Sequence, residues 1–221
     1  MTIRRPRAGP GSSVACVLLL AALGAGCGLI FEEDPDRPAP ARPLATPEPA
    51  ADTAGIPGGL GTLRLDQISV YLRRGELQMR ITPLTESVSR TALPEVWQHL
   101  TGLRSSHQVI FREQTGSAVD FQLVLVAVHA ESVPAGFEPE EVTLVSRGLR
   151  YRPVNIRPVS SAWTRRVVFP RETLLAVYAF PPEVTLDPSL EIEYQEVRMR
   201  NWGETLTRVE AERERIRARL P

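Results

Sequence analysis

The sequence predicts an all-β fold: an immunoglobulin-like antiparallel β-sandwich with one short inserted helix and a C-terminal helix. Three observations support this prediction. Apolar residues alternate with period two from Thr62 onward, turns containing proline or glycine recur at short intervals, and no long helical patterns alternate with the strands. A β-barrel is the alternative architecture. The cysteine, tryptophan and cysteine spacing of true immunoglobulin domains is absent, so the prediction concerns architecture alone.

The chain begins with a basic segment, an apolar run and small residues that lead to a cysteine. Arginines stand near the start, the apolar run extends from Val14 to Leu23, and the small residues end at Cys27. This order is typical of a secretory signal peptide. The run is shorter than the roughly 20 apolar residues that a membrane-spanning helix needs. We therefore predict an export signal over residues 1–26.

The segment Leu23-Gly24-Ala25-Gly26-Cys27 resembles the lipobox of bacterial lipoproteins, in which the cysteine is lipidated and becomes the mature N-terminus. The resemblance implies a lipidated Cys27 that anchors the protein to a bilayer, in the cell envelope, facing the periplasm or the exterior. In the commonest lipobox a bulky aliphatic residue stands three positions before the cysteine, whereas Gly24 stands there in this chain. Plain secretory cleavage near Ala25 is the alternative.

Gly28, the residue after the cysteine, bears on sorting. In lipoproteins of two-membrane bacteria an aspartate at this position tends to retain the protein in the inner membrane. By that resemblance Gly28 favours the outer membrane, if the host has two membranes.

Residues 27–61 are predicted to form the lipidated N-terminus and a tether. An acidic cluster from Glu32 to Asp36 is followed by a stretch rich in proline and alanine. Such a stretch favours extended conformations and does not build a packed core. Gly58-Gly59-Leu60-Gly61 fits the end of a tether better than a phosphate cradle, because no strand pattern precedes it and no helix pattern follows it.

Charge and cysteine content narrow the classes of function. The chain has 26 basic and 26 acidic residues, and loss of Arg4, Arg5 and Arg7 with the signal leaves a net charge of about −3. This balance argues against a nucleic-acid binder. Cys16 leaves with the signal and Cys27 would carry lipid, so no disulfide is predicted. The expected partners are the lipid bilayer and an envelope protein, and the oligomeric state stays open.

The predicted β-sandwich domain covers residues 62–200. It opens with a hairpin whose apolar residues alternate from Leu63 to Ile81, with the turn at Gly75. A short helix starts at Pro94 and ends at Gly102. Later strands are predicted over residues 108–112, 119–129, 141–146, 149–156, 165–169, 173–180 and 190–197. The run from Phe121 to Val128 is apolar on nearly every residue, which predicts a central strand covered on both faces.

Residues 201–221 are predicted to form an amphipathic helix. Its stripe runs from Trp202 to Leu220 with alternating spacings of four and three, and Arg213 interrupts it. Packing on its own domain or projecting into solvent is favoured over pairing with another chain, because the stripe is short.

No catalytic, cofactor or metal site is predicted. His99, His107 and His129 lack the clustered ligands that a metal needs. The Gly-x-Ser-x-Gly elbow of hydrolases is absent, and Ser105-Ser106-His107 are neighbours in sequence without being aimed at one another. The carboxylates from Glu138 to Glu141 are interpreted as a solvated loop.

One charged group is a candidate patch for an anionic partner. It surrounds Tyr151 and Trp163 in sequence and consists of Arg147, Arg150, Arg152, Arg157, Arg165 and Arg166. The alternative is a solvated sheet face on which arginine stems cover apolar surface.

Taken together, the sequence predicts a membrane-anchored bacterial lipoprotein that is a non-enzymatic binding or scaffolding module of the cell envelope. The alternative is an envelope enzyme or small-ligand carrier whose site is built from residues distant in sequence. A filled sandwich with shallow grooves would favour the binding or scaffolding module. A deep pocket with convergent polar groups would favour the enzyme or small-ligand carrier.

Overall fold

A computed structural model describes residues 56–116 and 118–220, which all belong to one compact unit. The structure is mostly antiparallel strands with a few helices, at 34% strand and 33% helix, and its arrangement is sandwich-like. The helical share is larger than the predicted all-β fold allows for. The predicted signal and most of the predicted tether lie outside the described residues.

The elements follow in chain order. The strands are β1 (Val70–Arg74), β2 (Leu77–Pro83), β3 (Gln122–Ala130), β4 (Ala135–Gly136), β5 (Val142–Ser146), β6 (Leu149–Tyr151), β7 (Asn155–Pro158), β8 (Val167–Val168), β9 (Thr173–Phe180), β10 (Glu191–Tyr194) and β11 (Val197–Met199). The α-helices are α1 (Glu86–Ser89), α2 (Pro94–Thr115) and α3 (Trp202–Arg217). Short 3-10 helices cover Leu65–Ile68, Pro139–Glu141 and Ser161–Arg165.

The larger sheet has five antiparallel strands in the order β1-β2-β3-β9-β7. Its centre is β3, in which every residue from Leu123 to Val128 is at most 4% exposed. Burial on both faces requires apolar residues at successive positions, so the prediction of a central strand over Phe121 to Val128 is confirmed.

The predicted hairpin is confirmed, but it begins later than the alternation indicated. Strands β1 and β2 pair from Val70 opposite Ile81 to Arg74 opposite Leu77, and Gly75 in the turn has a φ of 56°. Leu65 lies instead in a 3-10 helix, where the Ser69 hydroxyl donates a hydrogen bond to the Leu65 carbonyl at 2.5 Å. Such local bonds let serine compete with strand pairing.

The smaller sheet has four strands in the order β11-β10-β5-β6, and all of β5 is buried. Two predicted strands are each divided in the structure. Residues 149–156 form β6 in this sheet and β7 in the larger one, separated by a link that contains Pro153. Residues 190–197 form β10 and the start of β11, with Gln195 at a φ of 53° in the turn between them. A third pairing joins β4 and β8.

Helix α2 corrects two predictions, the short helix ending at Gly102 and the strand over residues 108–112. The helix has 22 residues and ends at Gly116, whose φ of 64° is left-handed. Leu100, Gln108 and Phe111 are buried while Val109 is 53% exposed, which is a helical and not an alternating pattern. A short apolar run such as residues 109–111 fits both periods, and helical packing decides between them.

An aromatic cluster fills the core between the sheets. The Trp163 ring lies 4.8 Å from Phe137 and 6.2 Å from Tyr178, measured between centroids. The Tyr178 hydroxyl donates to the Pro139 carbonyl at 3.0 Å, so this buried polar group has a partner. Burial raises the pKa of Tyr178 far above its ordinary value.

Helix α3 packs on its own domain. Its buried residues are Trp202, Thr205, Val209, Glu212 and Ile216. The indole nitrogen of Trp202 donates to the Leu186 carbonyl at 3.2 Å. The buried stripe therefore includes Thr205 and Glu212, one position before the Leu206 and Arg213 that the heptad pattern indicated.

Glu212 connects this helix to the start of the domain. Its carboxylate accepts hydrogen bonds from the backbone nitrogen of Thr62 at 2.7 Å and from the Thr62 hydroxyl at 2.9 Å. The Nε of Arg215 donates to it at 2.6 Å. The hydrogen bond from Arg215, with those from Thr62, holds the pKa of Glu212 below its ordinary value of 4.5 in spite of burial.

We expect two glycines of α2 to respond in opposite directions to alanine. An added Cβ at Gly102 would meet nothing within 4 Å, so Gly102→Ala should raise the free energy of unfolding by about 0.5–1 kcal/mol in a helix interior. Gly116→Ala should lower it by about 1–2 kcal/mol, because alanine disfavours a left-handed φ. Urea denaturation measures both, and destabilisation by Gly102→Ala would mean that the helix does not continue through residue 102.

We also expect Glu212 to make stability dependent on acid. A carboxyl with a lowered folded-state pKa contributes stability above its unfolded value, 4.5, and loses that contribution as the pH falls through the folded value. Glu212→Gln should therefore cost about 1–3 kcal/mol at pH 7 and flatten the decline below pH 4.5. Denaturation from pH 7 to pH 3 tests this.

The matched control is Glu214→Gln, two residues further along α3. Glu214 is paired with Arg217, but its side chain is 69% exposed. Exposed pairs contribute little, so this variant should unfold like the parent at each pH. Equal losses in the two variants would contradict a special role for Glu212.

Candidate functional site

The six arginines of the predicted patch are divided among several parts of the fold. The structure places Arg147 in the turn after β5, Arg150 on β6, Arg152 in the link to β7, Arg157 on β7, and Arg165 and Arg166 at the end of the 3-10 helix Ser161–Arg165. Strands β6 and β7 are edge strands of different sheets. The patch therefore does not lie on a single sheet face.

Four of these arginines pair with carboxylates. The N to O distances are 3.5 Å for Arg147 with Asp187, 3.1 Å for Arg150 with Glu193, 2.5 Å for Arg165 with Glu172, and 2.8 Å and 2.7 Å for Arg166 with Glu138 and Glu140. Exposed pairs of this kind are individually weak, yet they offset most of the local positive charge. The patch remains a prediction for partner binding, with fewer unpaired cations than the sequence suggested.

A shallow depression lies beside two of the predicted arginines. It has a volume of about 410 Å³ and is lined by residues that include Arg147, Arg150, Glu191 and Arg198. Arg198 pairs with Glu191 at 3.1 Å and with Glu193 at 2.9 Å. Positive and negative groups alternate there, so the depression has no single sign of charge.

A second depression lies on the five-stranded sheet, on the face opposite Ile81 and Val126. Strand register places Tyr71 opposite Arg80 and Arg80 opposite Ala127 in one row. In the next row Gln78 lies opposite His129, and His129 opposite Thr173. These six residues line a cavity of about 290 Å³, which we call the sheet groove.

The floor of the sheet groove is low because its central residue is small. Ala127 is 4% exposed and forms the floor between larger polar neighbours. Further along the same face Leu125 and Val177 are buried, and α2 contacts β9. The polar rows remain accessible.

Arg80 is the charged group of the sheet groove. It is half-buried, and its Nε is buried without a hydrogen-bond partner among the described residues. Within residues 56–116 and 118–220, no carboxylate lies within ion-pair distance of Arg80. A buried N–H of guanidinium without a partner is costly, which makes this position a candidate for binding an anionic group.

Three carboxylates near the groove along the chain are paired with arginines, and Glu76, two residues before Gln78, accepts a hydrogen bond from the Ser132 backbone nitrogen at 3.2 Å. Asp66 accepts two hydrogen bonds from Arg64, at 3.0 Å and 2.8 Å. The Arg64 hydrogen bond, with a smaller contribution from Arg80, lowers the pKa of Asp66. Glu131 pairs with Arg73, and Glu172 pairs with Arg165. Arg80 thus has no ion pair among the described residues and interacts with Asp66 only at longer range.

His129 is held in one orientation at the edge of the groove. Its Nδ1 lies 2.8 Å from the backbone carbonyl of Glu172. A carbonyl only accepts hydrogen bonds, so Nδ1 carries the proton and donates it. Any contact between this imidazole and a ligand therefore falls to Nε2.

The sequence interpretation missed Arg80 as a site residue and treated His129 as an isolated strand-end residue. The sequence did show polar residues, among them Gln78 and Arg80, that alternate with the apolar residues of β1 and β2. That signal did not show which strands would be neighbours, and the groove needs residues from β1, β2, β3 and β9 side by side.

The other sequence motifs have structural roles. Ser106 Oγ lies 3.2 Å from His107 Nδ1, but the hydroxyl also donates to the Gly102 carbonyl at 2.9 Å, and Nδ1 lies 2.9 Å from the Leu103 carbonyl. Both side chains are therefore bonded to their own helix. Gly58 lies against Trp97, where an added Cβ would come within 2.1 Å of the indole ring.

The described ranges hold no group of three or more histidine, cysteine or acidic residues that could bind a metal ion. Among the described helices, none combines the length and apolar character that crossing a membrane requires. No family model, no curated protein and no solved structure matches this chain.

Proposed function

We propose that this chain is a bacterial lipoprotein, anchored through a lipidated Cys27, whose β-rich domain is a non-enzymatic binding or scaffolding module of the cell envelope. The observation that carries the proposal is the N-terminal order of basic segment, apolar run and Leu23-Gly24-Ala25-Gly26-Cys27. In this proposal the protein lies in the cell envelope and faces the periplasm or the exterior. Gly28 supports the outer membrane in a two-membrane host.

The described domain supports binding over catalysis. Tyr178 and Glu212, whose pKa values are displaced by burial and by the Arg215 hydrogen bond respectively, take part in bonds that hold the fold. The depressions described above have volumes of about 290 and 410 Å³. Ligand pockets typically measure about 300–1,000 Å³, so these lie at the small end of that range.

A small-ligand carrier is the second candidate function. The observation that favours it is the sheet groove, in which the unpaired Arg80 stands beside several neutral polar side chains. Convergent polar groups around a small apolar floor are typical of a binding site.

We further propose that the two larger sheets form the layers of an immunoglobulin-like β-sandwich. Both sheets contribute to one hydrophobic cluster, with Ile81 and Val126 from the larger sheet and Leu144 and Ile192 from the smaller. An experimental structure with the sheets aligned at about 30° would support this architecture, whereas orthogonal packing near 90° would contradict it.

Lipidation predicts a specific effect of Cys27→Ala. Without the thiol no lipid can be attached, so labelling by a fatty-acid analogue should disappear and the protein should leave the membrane fraction. Cys16→Ala is the matched control, because Cys16 lies inside the apolar run and should not affect labelling. Unchanged membrane retention of Cys27→Ala would mean that another anchor exists.

The scaffolding role predicts a stable neighbour in the envelope. Crosslinking of the full chain in its native host, followed by mass spectrometry, should enrich at least one envelope protein. Cys27→Ala should lose this partner, because the released chain no longer lies at the membrane surface. Recovery of no envelope protein above background would contradict the scaffolding proposal.

A further inference from the structure

We infer that the sheet groove is a binding site for a small anion, held by Arg80 through a carboxylate or phosphate group. The inference deepens the proposed binding role and rests on it, by naming the chemical class of the ligand. It concerns a different part of the chain from the lipid anchor, so the two can fail separately.

The charges around Arg80 favour binding of an anion. Asp66, Glu131 and Glu172 stand next to the groove in sequence or contact, and each is paired with an arginine other than Arg80. No ion pair joins the guanidinium of Arg80 to a carboxylate of the described residues, although Arg80 contributes to the lowered pKa of Asp66. An anion in the groove would supply the missing partner, and a half-buried ion pair is screened less by salt than an exposed one.

The hydrogen-bond donors of the groove suit the oxygens of an anion. A guanidinium presents its N–H groups in a planar fork that matches the two oxygens of a carboxylate or phosphate. The register puts the Tyr71 hydroxyl in the row of Arg80, and the Gln78 amide and the Thr173 hydroxyl in the next row. These neutral groups can each donate a hydrogen bond to an oxygen of the same ligand.

The shape of the groove suits a small ligand. Ala127 lies between Arg80 and the β9 strand, so the floor of the groove is low where an anion would sit. The cavity of about 290 Å³ accommodates a small molecule. It is smaller than most pockets for drug-sized ligands, which start at about 300 Å³.

The patch predicted from sequence is a weaker anion site for the same reasons. Arg147, Arg150 and Arg166 each have a carboxylate partner. A ligand at these three arginines would have to displace an existing ion pair, whereas one at Arg80 would not.

The test measures anion binding to the full chain, purified from membranes in detergent. Calorimetric titration at low ionic strength uses inorganic phosphate in one arm and succinate in the other. We expect saturable binding in at least one arm, and the preferred arm identifies the ligand chemistry as phosphate or carboxylate. Arg80→Gln should weaken that binding at least about tenfold, since it removes a charge-assisted hydrogen bond.

The matched control is Arg157→Gln. Arg157 lies on the same sheet but on the edge strand β7, is also half-buried, and does not line the groove. The Arg157→Gln variant should bind the anion as tightly as the parent does. Equal weakening in both variants would assign the binding to general positive charge and overturn the inference, as would saturable binding in neither arm.

A second variant keeps the test decisive if Arg80→Gln unfolds. Ala127→Val raises the floor of the groove with a residue suited to a strand and leaves Arg80 in place. It should also weaken anion binding, with its fold checked by circular dichroism. Unchanged binding in folded Ala127→Val would contradict the groove as the site, while fatty-acid labelling of Cys27 would be unaffected by either result.

Discussion

The pairing of β3 between β2 and β9 is the constraint on which the rest of the structure depends. Every residue from Leu123 to Val128 is nearly inaccessible to solvent, so both faces of this strand must be covered. One face meets the aromatic cluster around Trp163 and Tyr178. On the other face the same register places Arg80 and His129 among the residues that line the sheet groove.

Ion pairing, and not composition alone, determines where positive charge stays unpaired on this protein. Arginine and carboxylate numbers are equal over the chain, and many arginines on the strands and turns have a partner within 4 Å. Arg80 has no ion pair with a carboxylate of the described residues, and its cross-strand neighbours Tyr71 and Ala127 carry no charge. An unpaired guanidinium at a small floor residue is a more specific signal of ligand binding than an arginine-rich stretch in sequence.

Helices account for the main differences between the predicted and observed fold. The apolar run in residues 109–111 is compatible with a strand or a helix, and only Phe111 packing near Phe121, with ring centroids 6.2 Å apart, shows which period is used. In α3 a heptad count placed Arg213 in the stripe, whereas Glu212 is the buried position because Thr62 and Arg215 satisfy its carboxylate. Neither partner can be inferred from the spacing of apolar residues.

The sequence alone determined the strongly alternating or fully apolar elements: the hairpin at Gly75, the central strand β3, strand β9 and the existence of a C-terminal helix. These follow from local periodicity, which acts over a few residues. The sequence alone also shows the resemblance to a lipoprotein signal around Cys27. Only the tertiary structure decided the length of α2, the division of residues 149–156 between two sheets, and the grouping of Arg80 with His129 and Thr173. The reason is that strand order and register bring together residues far apart in the chain, and no local pattern encodes that choice.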